Sequence, residues 1–354
     1  MPRVLVAMSG GVDSSVAAAR LLDAGHEVVG VAMKLWGGES DTGCCSVSDV
    51  DDARRVADHL GIDHHTFNFG DDFWAHVVGP YLDDHAAGRT PNPCVECNRH
   101  LKFDRLLERA DLLGFDAVAT GHHARTVVRA DGSRRVARGA DRAKDQSYVI
   151  HMLDQAQLAR TLFPVGDLTK ADVRAEAVRL GLRTATKPDS QDVCFITATG
   201  GGRRTFLGDR IELHPGRLVD DTGHTVGEVD AVELVTVGQR KGLGLAGAGE
   251  PRYAVDVDVP ARTVRIGPAA DLLDATVTLR DLVVPASSSP LPAGLVAQCS
   301  AHGTPRPVTV VPRLGPTDGS LELAWAGGPQ RRVAGGQSVV LYDGDVVVAG
   351  GIVA

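Results

Sequence analysis

The string "RVLVAMSGGVDSSVAAARLLDAG", residues 3–25, constrains this chain more than any other. An apolar run, a Gly-Ser turn and a run with apolar residues at helical spacing describe a strand that turns at once into a helix. The alternation continues. "EVVGVAMKLW" reads as a strand, "DVDDARRVADHLG" as a helix, "HHTFNF" as a strand, and "DDFWAHVVGPYLDDHAAG" as a helix broken near Pro80. After "RTPNPCVECN", read as a loop, "RHLKFDRLLERADLLG" is an expected helix and "FDAVATGHHA" an expected strand. Strands separated by helices predict an α/β fold, a doubly wound parallel sheet with helices on both faces. Such sheets bind ligands beyond the carboxyl ends of their strands, where "SGGVDSS" lies.

Near residue 200 the pattern changes. "TGGGRR" reads as a linker, "DAVELVTVGQRKGLGLAGAG" as a strand running into a Gly-rich loop, and "RYAVDVDVPARTVRIG" as a hairpin. From about 272 the chain is wholly β, and Asp343–Gly344 between alternating apolar residues signals a tight hairpin. A small β-barrel closes such strands. The expected domains are 1–200, the doubly wound catalytic domain; 201–271, a small central β-rich domain; and 272–354, a C-terminal β-barrel.

No apolar run reaches the roughly 18 residues that a membrane span needs, and the N-terminus enters a strand without a secretory signal pattern. The chain is therefore expected to be cytoplasmic, with no membrane partner and with reduced cysteines. These fall at 44, 45, 94, 97, 194 and 299. The Cys-x-x-Cys of "RTPNPCVECNRHLKF" admits half a zinc site, a redox dithiol, a cluster seat or a nucleophile with a neighbour. Zinc would need a second close pair, and adjacent Cys44 and Cys45 diverge, so no structural metal is expected.

The net charge of −8 argues mildly against nucleic acid, yet Arg125 to Lys144 holds seven basic residues against two acidic ones. The turn "SGGVDSS" is neither G-x-G-x-x-G nor G-x-x-x-x-G-K-[ST]. It offers an anion nest: backbone N–H groups of Ser9, Gly10 and Gly11, the positive end of the next helix, and two hydroxyls. Asp13 is placed to help hold Mg²⁺ or to order the turn.

The same turn resembles the pyrophosphate loop of the ATP pyrophosphatases. With "GRTPNPCVECN", "KFD", "ATGHHAR", "KDQSY", "LFPVGDLTK", "KPDSQDVCFI", "GQRKGLG" and "GGQSVVLYDG", the chain from residue 3 to about 352 resembles the bacterial tRNA-specific 2-thiouridylases. The resemblance implies an adenine nucleotide alpha hydrolase-like catalytic domain and a transferase that exchanges the C2 oxygen of the wobble uridine, position 34 of tRNA, for sulfur. ATP and Mg²⁺ would adenylate the oxygen, releasing pyrophosphate and then AMP. By the same resemblance Cys97 is the catalytic nucleophile and Cys194 carries the persulfide, and turnover leaves a disulfide bond between them. ATP would contact Ala7, Met8, Ser9, Gly10, Gly11, Val12, Asp13, Ser14, Met33 and Gly121. Asn92, Pro93 and Cys94 match the segment that meets the target base; His122, Lys144, Asp145, Gln146 and Gln337 match tRNA-contacting positions. Lys144 ends the basic stretch, which then reads as a phosphate track. The helix after Cys97 and nearby Arg99 are expected to favour its thiolate.

The implied partners are tRNA and a sulfur donor such as a cysteine desulfurase or a sulfur-relay protein. An alternative keeps the reaction but has Cys94, Cys97 and Cys194 hold an iron–sulfur cluster that delivers sulfide. Two further readings are another pyrophosphate-loop ligase, which would need no paired thiols, and a non-catalytic RNA-binding protein, which would release no pyrophosphate.

Overall fold

The computed structural model describes residues 1–35, 47–189, 193–196, 201–245, 250–284, 291–311 and 319–354. Cys44 and Cys45, residues 190–192 of "KPDSQDVCFI", and the first residues of "TGGGRR" lie outside these. Five parallel strands form the first sheet: β1 (Arg3–Ala7), β2 (Glu27–Lys34), β3 (His64–Asn68), β4 (Ala117–Thr120) and β7 (Thr161–Leu162), in the order β3-β2-β1-β4-β7. Val4, Leu5 and Val6 have no exposed surface, because helices cover both faces of the sheet. Helix α1 (Val12–Asp23) follows β1 directly and packs Val12, Val16, Ala17 and Leu21 into the same core as Val4 and Val6. The strand order reverses between β1 and β4. The loop after β1 and the loop after β4 therefore flank one crevice.

Two long helices deviate from regular α geometry. The segment Gly70–Phe73 widens into a π turn over Trp74–Val78 before Gly79–Ala86, so the chain passes Pro80 without ending the helix. The second runs α over Pro93–Glu96, π over Cys97–Arg105 and α again over Leu106–Leu112. Its start corrects the reading of "RTPNPCVECN" as a loop. Asn92 is the N-cap, accepting the Cys94 N–H at 3.2 Å, and Pro93 fills the first helical position, where a missing N–H costs nothing.

"FDAVATGHHA" is also not one strand. β4 ends at Thr120, and the chain re-enters as β5 (Ala124–Val128), which forms a hairpin with β6 (Arg134–Arg138). That hairpin joins another sheet: Ala137 pairs with Val346 of the last strand. The C-terminal region closes six antiparallel strands, Thr276–Val283, Leu321–Trp325, Arg306–Val310, Val296–Gln298, Ser338–Asp343 and Val346–Val353, the last pairing back to the first. The hairpin after Asp343 turns at Gly344, whose φ is +59°. Between the parallel sheet and the barrel, Gly216–Val219, Thr225–Val229, Tyr253–Asp258 and Thr263–Gly267 make a four-stranded sheet, the last two being the expected hairpin. "TGGGRR" is no simple linker, since helix Gly202–Gly208 begins inside it. "DAVELVTV" forms a 3₁₀ turn at Val232–Leu234 instead of a strand, because buried Glu233 turns in to accept the backbone N–H (3.0 Å) and the ring (2.8 Å) of His214.

Candidate active site

The crevice at the strand reversal opens into a cleft of about 350 Å³. On its floor the nucleotide loop turns sharply. Gly10 has φ +71°, and a Cβ there would lie 2.2 Å from the Asp49 carbonyl oxygen. The Ser14 and Ser15 hydroxyls donate to the Gly11 carbonyl at 3.2 and 2.8 Å. The N-cap of α1 is Gly11, with no side-chain capping bond, so the helix offers its positive end to an anion. The nest is smaller than expected, because the Ser9 N–H already donates to Ser14 Oγ at 3.2 Å. Ala7, Met8, Ser9, Asp13, Ser14, Met33 and Gly121 line the cleft; Gly10, Gly11 and Val12 shape the loop without lining it. Gly121 is held against α1. A Cβ there would meet Ser14 N at 2.5 Å and the Asp13 carbonyl carbon at 2.7 Å.

Asp13 is not an open carboxylate. It accepts from His123 Nε2 at 3.0 Å and from Lys170 Nζ at 2.8 and 2.7 Å. Burial pushes its carboxyl up, but those hydrogen bonds and charges more than offset this and hold it below the usual value. Lys170 also reaches Asp189 at 2.8 Å, and Asp189 is bonded by Lys144 (2.8 Å) and Arg174 (2.9 Å). Burial opposes ionisation of Asp189 as well, yet the bonds from Lys144 and Lys170 hold it far below the carboxylate range. His123, Lys170 and Asp189 lie in "ATGHHAR", "LFPVGDLTK" and "KPDSQDVCFI", and the sequence alone points to no role for them. One signal was available. Thr169-x-x-Asp172 is a capping pattern, and the structure has that capping box; it puts Lys170 in a helix first turn, where a cation is electrostatically misplaced unless carboxylates or ligands demand it.

Cys94, Cys97 and Cys194 all line the cleft, with Cys97 buried and the other two half-buried. The helix begins four residues before Cys97, so Cys94 rather than Cys97 occupies its first turn. Arg99 is directed to Glu96, at 3.7 Å. Cys97 opens the π segment, a geometry often kept at functional positions. Cys194 is presented by its neighbours. Phe195 is anchored against Phe73 and Tyr81 (both 5.5 Å) and Phe206 (5.1 Å). Val193 has φ +53°, a strained state for a β-branched residue worth about 1–2 kcal/mol.

Pro93, His122, Lys144, Asp145 and Gln146 line the same cleft, while Asn92 caps the helix and Gln337 donates to the Thr90 carbonyl. His122 is kept neutral, far below its ordinary pKa, by burial and then by the Lys102 charge. Asp145 is buried against Arg138 at 2.8 Å and accepts from Gly139 and Ser147. Gln146 accepts the His123 N–H at 2.9 Å. Ala301 and His302 of the barrel reach the cleft too, although the sequence singled out neither. The basic stretch is a poor phosphate track. Arg135 and Arg138 are buried, and Arg129 and Arg142 pair with Asp343 and Asp345 of the barrel's last hairpin. These arginines fasten the barrel to the parallel-sheet domain.

Among the described residues no three His, Cys, Asp or Glu side chains form a set that could hold a metal ion. Also among the described residues, no helix is long and apolar enough to cross a membrane.

A family model described as a tRNA methyl transferase HUP domain matches residues 2–198. A PRC-barrel domain of the same series matches 204–268, and an aminomethyltransferase β-barrel domain matches 303–353. A tRNA-specific 2-thiouridylase MnmA of Mycolicibacterium smegmatis is 48% identical over 360 residues, covering 98% of each chain. The chain belongs to the tRNA-specific 2-thiouridylase family. The relative from Streptomyces avermitilis is 46% identical over 99% of this chain and 94% of its own. Among solved structures, a 4-thiouridine synthetase–RNA complex with bound ATP is similar over 55% of this chain and 45% of that one, at 17% identity and a TM-score of 0.38. Membership of the thiouridylase family spans the loop after β1, all three cleft thiols and the barrel alike.

Proposed function

We propose that this chain is a tRNA-uridine 2-sulfurtransferase that replaces the C2 oxygen of the wobble uridine with sulfur, using ATP. The observation that carries this reading is one cleft lined by both the nucleotide loop and the thiols Cys97 and Cys194. A ligase that only adenylates has no use for the second half of that lining.

The difficulty is a poor leaving group on a weak electrophile. The uridine O2 attacks the α-phosphorus of ATP, the α–β bridging P–O bond breaks, and pyrophosphate leaves as N3 loses its proton. The terminal sulfur of a Cys194 persulfide then adds to C2, and AMP departs with the former O2. Cys97 thiolate attacks the Cys194 sulfur and breaks the S–S bond, leaving the second sulfur on C2. The two thiols become a disulfide, matching the two-electron reduction of the transferred sulfur, and a dithiol reductant reopens it. Within this scheme Ser9, Ser14 and the start of α1 hold the phosphates, and Gly121 lets β4 and the nucleotide loop approach closely. Buried His122, neutral across the physiological range, is suited to donate or accept a hydrogen bond at a flipped base without repelling it. Mg²⁺ fits only as a companion of the triphosphate: Asp13 and Asp49 face the loop, each already paired with a lysine, Lys170 and Lys187. The ion would neutralise phosphate charge there. Sulfur would arrive from a donor such as a cysteine desulfurase or relay protein, and the barrel contributes His302 to the cleft that would receive the flipped base.

Mass spectrometry of tRNA nucleosides after incubation with ATP, Mg²⁺ and a persulfide donor tests the reading. Aerobically purified, metal-free protein is expected to yield 2-thiouridine, with Cys94→Ala retaining most of the activity. Activity that appears only after anaerobic iron–sulfide reconstitution, and vanishes in Cys94→Ala, would replace the persulfide with a cluster. No thiolated nucleoside under either regime would remove the sulfurtransferase reading altogether.

A further inference from the structure

We infer that Lys170 is a catalytic residue of the adenylation step, the group that receives the negative charge of the departing pyrophosphate. The inference rests on the reaction proposed above and assigns a residue within its site. Three observations carry it.

The first is position. Lys170 lines the cleft beside Ser9, Asp13 and Ser14, and its side chain is 12% exposed, so the ammonium is held inside the site. The second is the cost of that position. Thr169 caps the ten-residue helix Lys170–Arg179, which makes Lys170 its first residue, at the positive end of the helix dipole. The positive end of α1 lies on the same cleft. A cation between two such ends is destabilised by both, unless anions are brought to it. Asp13 and Asp189 supply that charge to the ammonium, and Asp141 accepts the Lys170 backbone N–H at 2.9 Å. Lys144, Lys170 and Arg174 thus stand against three carboxylates in a balanced cluster. Its three cations, gathered at two helix N-termini, are ones that an incoming triphosphate can share.

The third observation is donor arithmetic. An ammonium has three N–H donors. Lys170 commits two to one carboxylate, Asp13 Oδ1 and Oδ2, and the third to Asp189 Oδ1. Turning one of the paired donors toward a phosphate oxygen leaves both carboxylates still bonded to Lys170. Asp13 also keeps its hydrogen bond from His123, and Asp189 keeps those from Lys144 and Arg174. The lysine can thus take up phosphate without stranding a buried charge, which is the usual obstacle to moving a buried cation. As the α–β P–O bond breaks, the electron pair stays with the bridging oxygen, and the ammonium meets the charge that gathers on pyrophosphate.

The test uses the full chain with Lys170→Gln and Lys170→Arg, with Mg²⁺ and inorganic pyrophosphate or AMP as separate probes in calorimetry. Lys170→Gln is expected to weaken pyrophosphate binding about 10- to 100-fold, the loss of one charge-assisted bond, with AMP binding unchanged. Single-turnover pyrophosphate release with tRNA should fall about 10²- to 10³-fold, as when one preorganised donor is removed from a developing charge. Binding of tRNA should not change. Lys170→Arg should recover pyrophosphate binding. Equal loss of AMP and pyrophosphate binding would make Lys170 a strut for the loop and overturn the inference, as would an unchanged release rate. Should Lys170→Gln not fold, Lys170→Arg decides: slowed release with pyrophosphate retained upholds the assignment, and loss of both ligands overturns it. A wild-type chain that binds pyrophosphate but releases none with tRNA would instead indict the proposed reaction.

Discussion

Cys97→Ser and Cys194→Ser are each expected to abolish 2-thiouridine formation, by on the order of 10⁴-fold or more, as removal of a covalent nucleophile does elsewhere. Release of pyrophosphate in a single turnover with tRNA should persist in both. The separation follows from the cleft: the thiols sit on the cysteine helix and on the 193–196 segment, whereas in the proposed reaction the phosphates would face the loop after β1 and helix α1. Serine is nearly isosteric, and Cys97 is buried against apolar neighbours including Phe73, Val77 and Leu101, so the replacement adds little strain. The two variants should differ in one respect. Labelled donor sulfur should be retained on Cys97→Ser, which still has the Cys194 acceptor, and not on Cys194→Ser. Trypsin digestion and mass measurement read this directly. Retention on Cys194→Ser alone would exchange the two roles, and full thiolation by either variant would end the persulfide scheme.

How far the sequence discloses this site depends on whether a signal is local. Alternation of apolar runs with helical spacing is local, and it marks β1, β2, β3 and the start of β4 with the turn "SGGVDSS", but not the two-residue β7 (Thr161–Leu162). Residues 124–138 fail for the opposite reason. Their pairing partner is Val346, more than 200 positions away, and a polar-apolar strand carries no mark of the sheet it will join. The basic stretch shares this blindness, since Asp343 and Asp345 pair with its arginines only after the barrel docks. The start of the cysteine helix is legible in Asn92 followed by Pro93, an N-cap and first-turn pair, but Pro91 just before them favours a loop. Lys170 lies between these cases. Its helix was readable from Thr169 and Asp172; its carboxylate on Asp13, 157 residues earlier, was not.

Gly121→Ala is expected to raise the KM for ATP and lower the rate of pyrophosphate release by about 100-fold, the scale of a roughly 1 Å misplacement in a site. The added methyl would stand 2.5 Å from Ser14 N, 2.7 Å from the Asp13 carbonyl carbon and 2.9 Å from Ser14 Cα. All three are backbone atoms in the first turn of α1, so no side chain can rotate away. Either the loop after β4 or the start of α1 must shift. The core restrains both, because Val118 and Ala119 of β4 and Val12 and Val16 of α1 are buried. The displacement therefore concentrates at the mouth of the cleft, at Ser9, Asp13 and Ser14, which are proposed to meet the phosphates. Overpacking of this kind costs about 1–3 kcal/mol, which a protein of this size should survive. Thermal melting should show a modestly lower but still cooperative transition, with tRNA binding near that of the parent. Parent-like ATP kinetics in a folded Gly121→Ala protein would mean that the nucleotide does not occupy the crevice between β1 and β4.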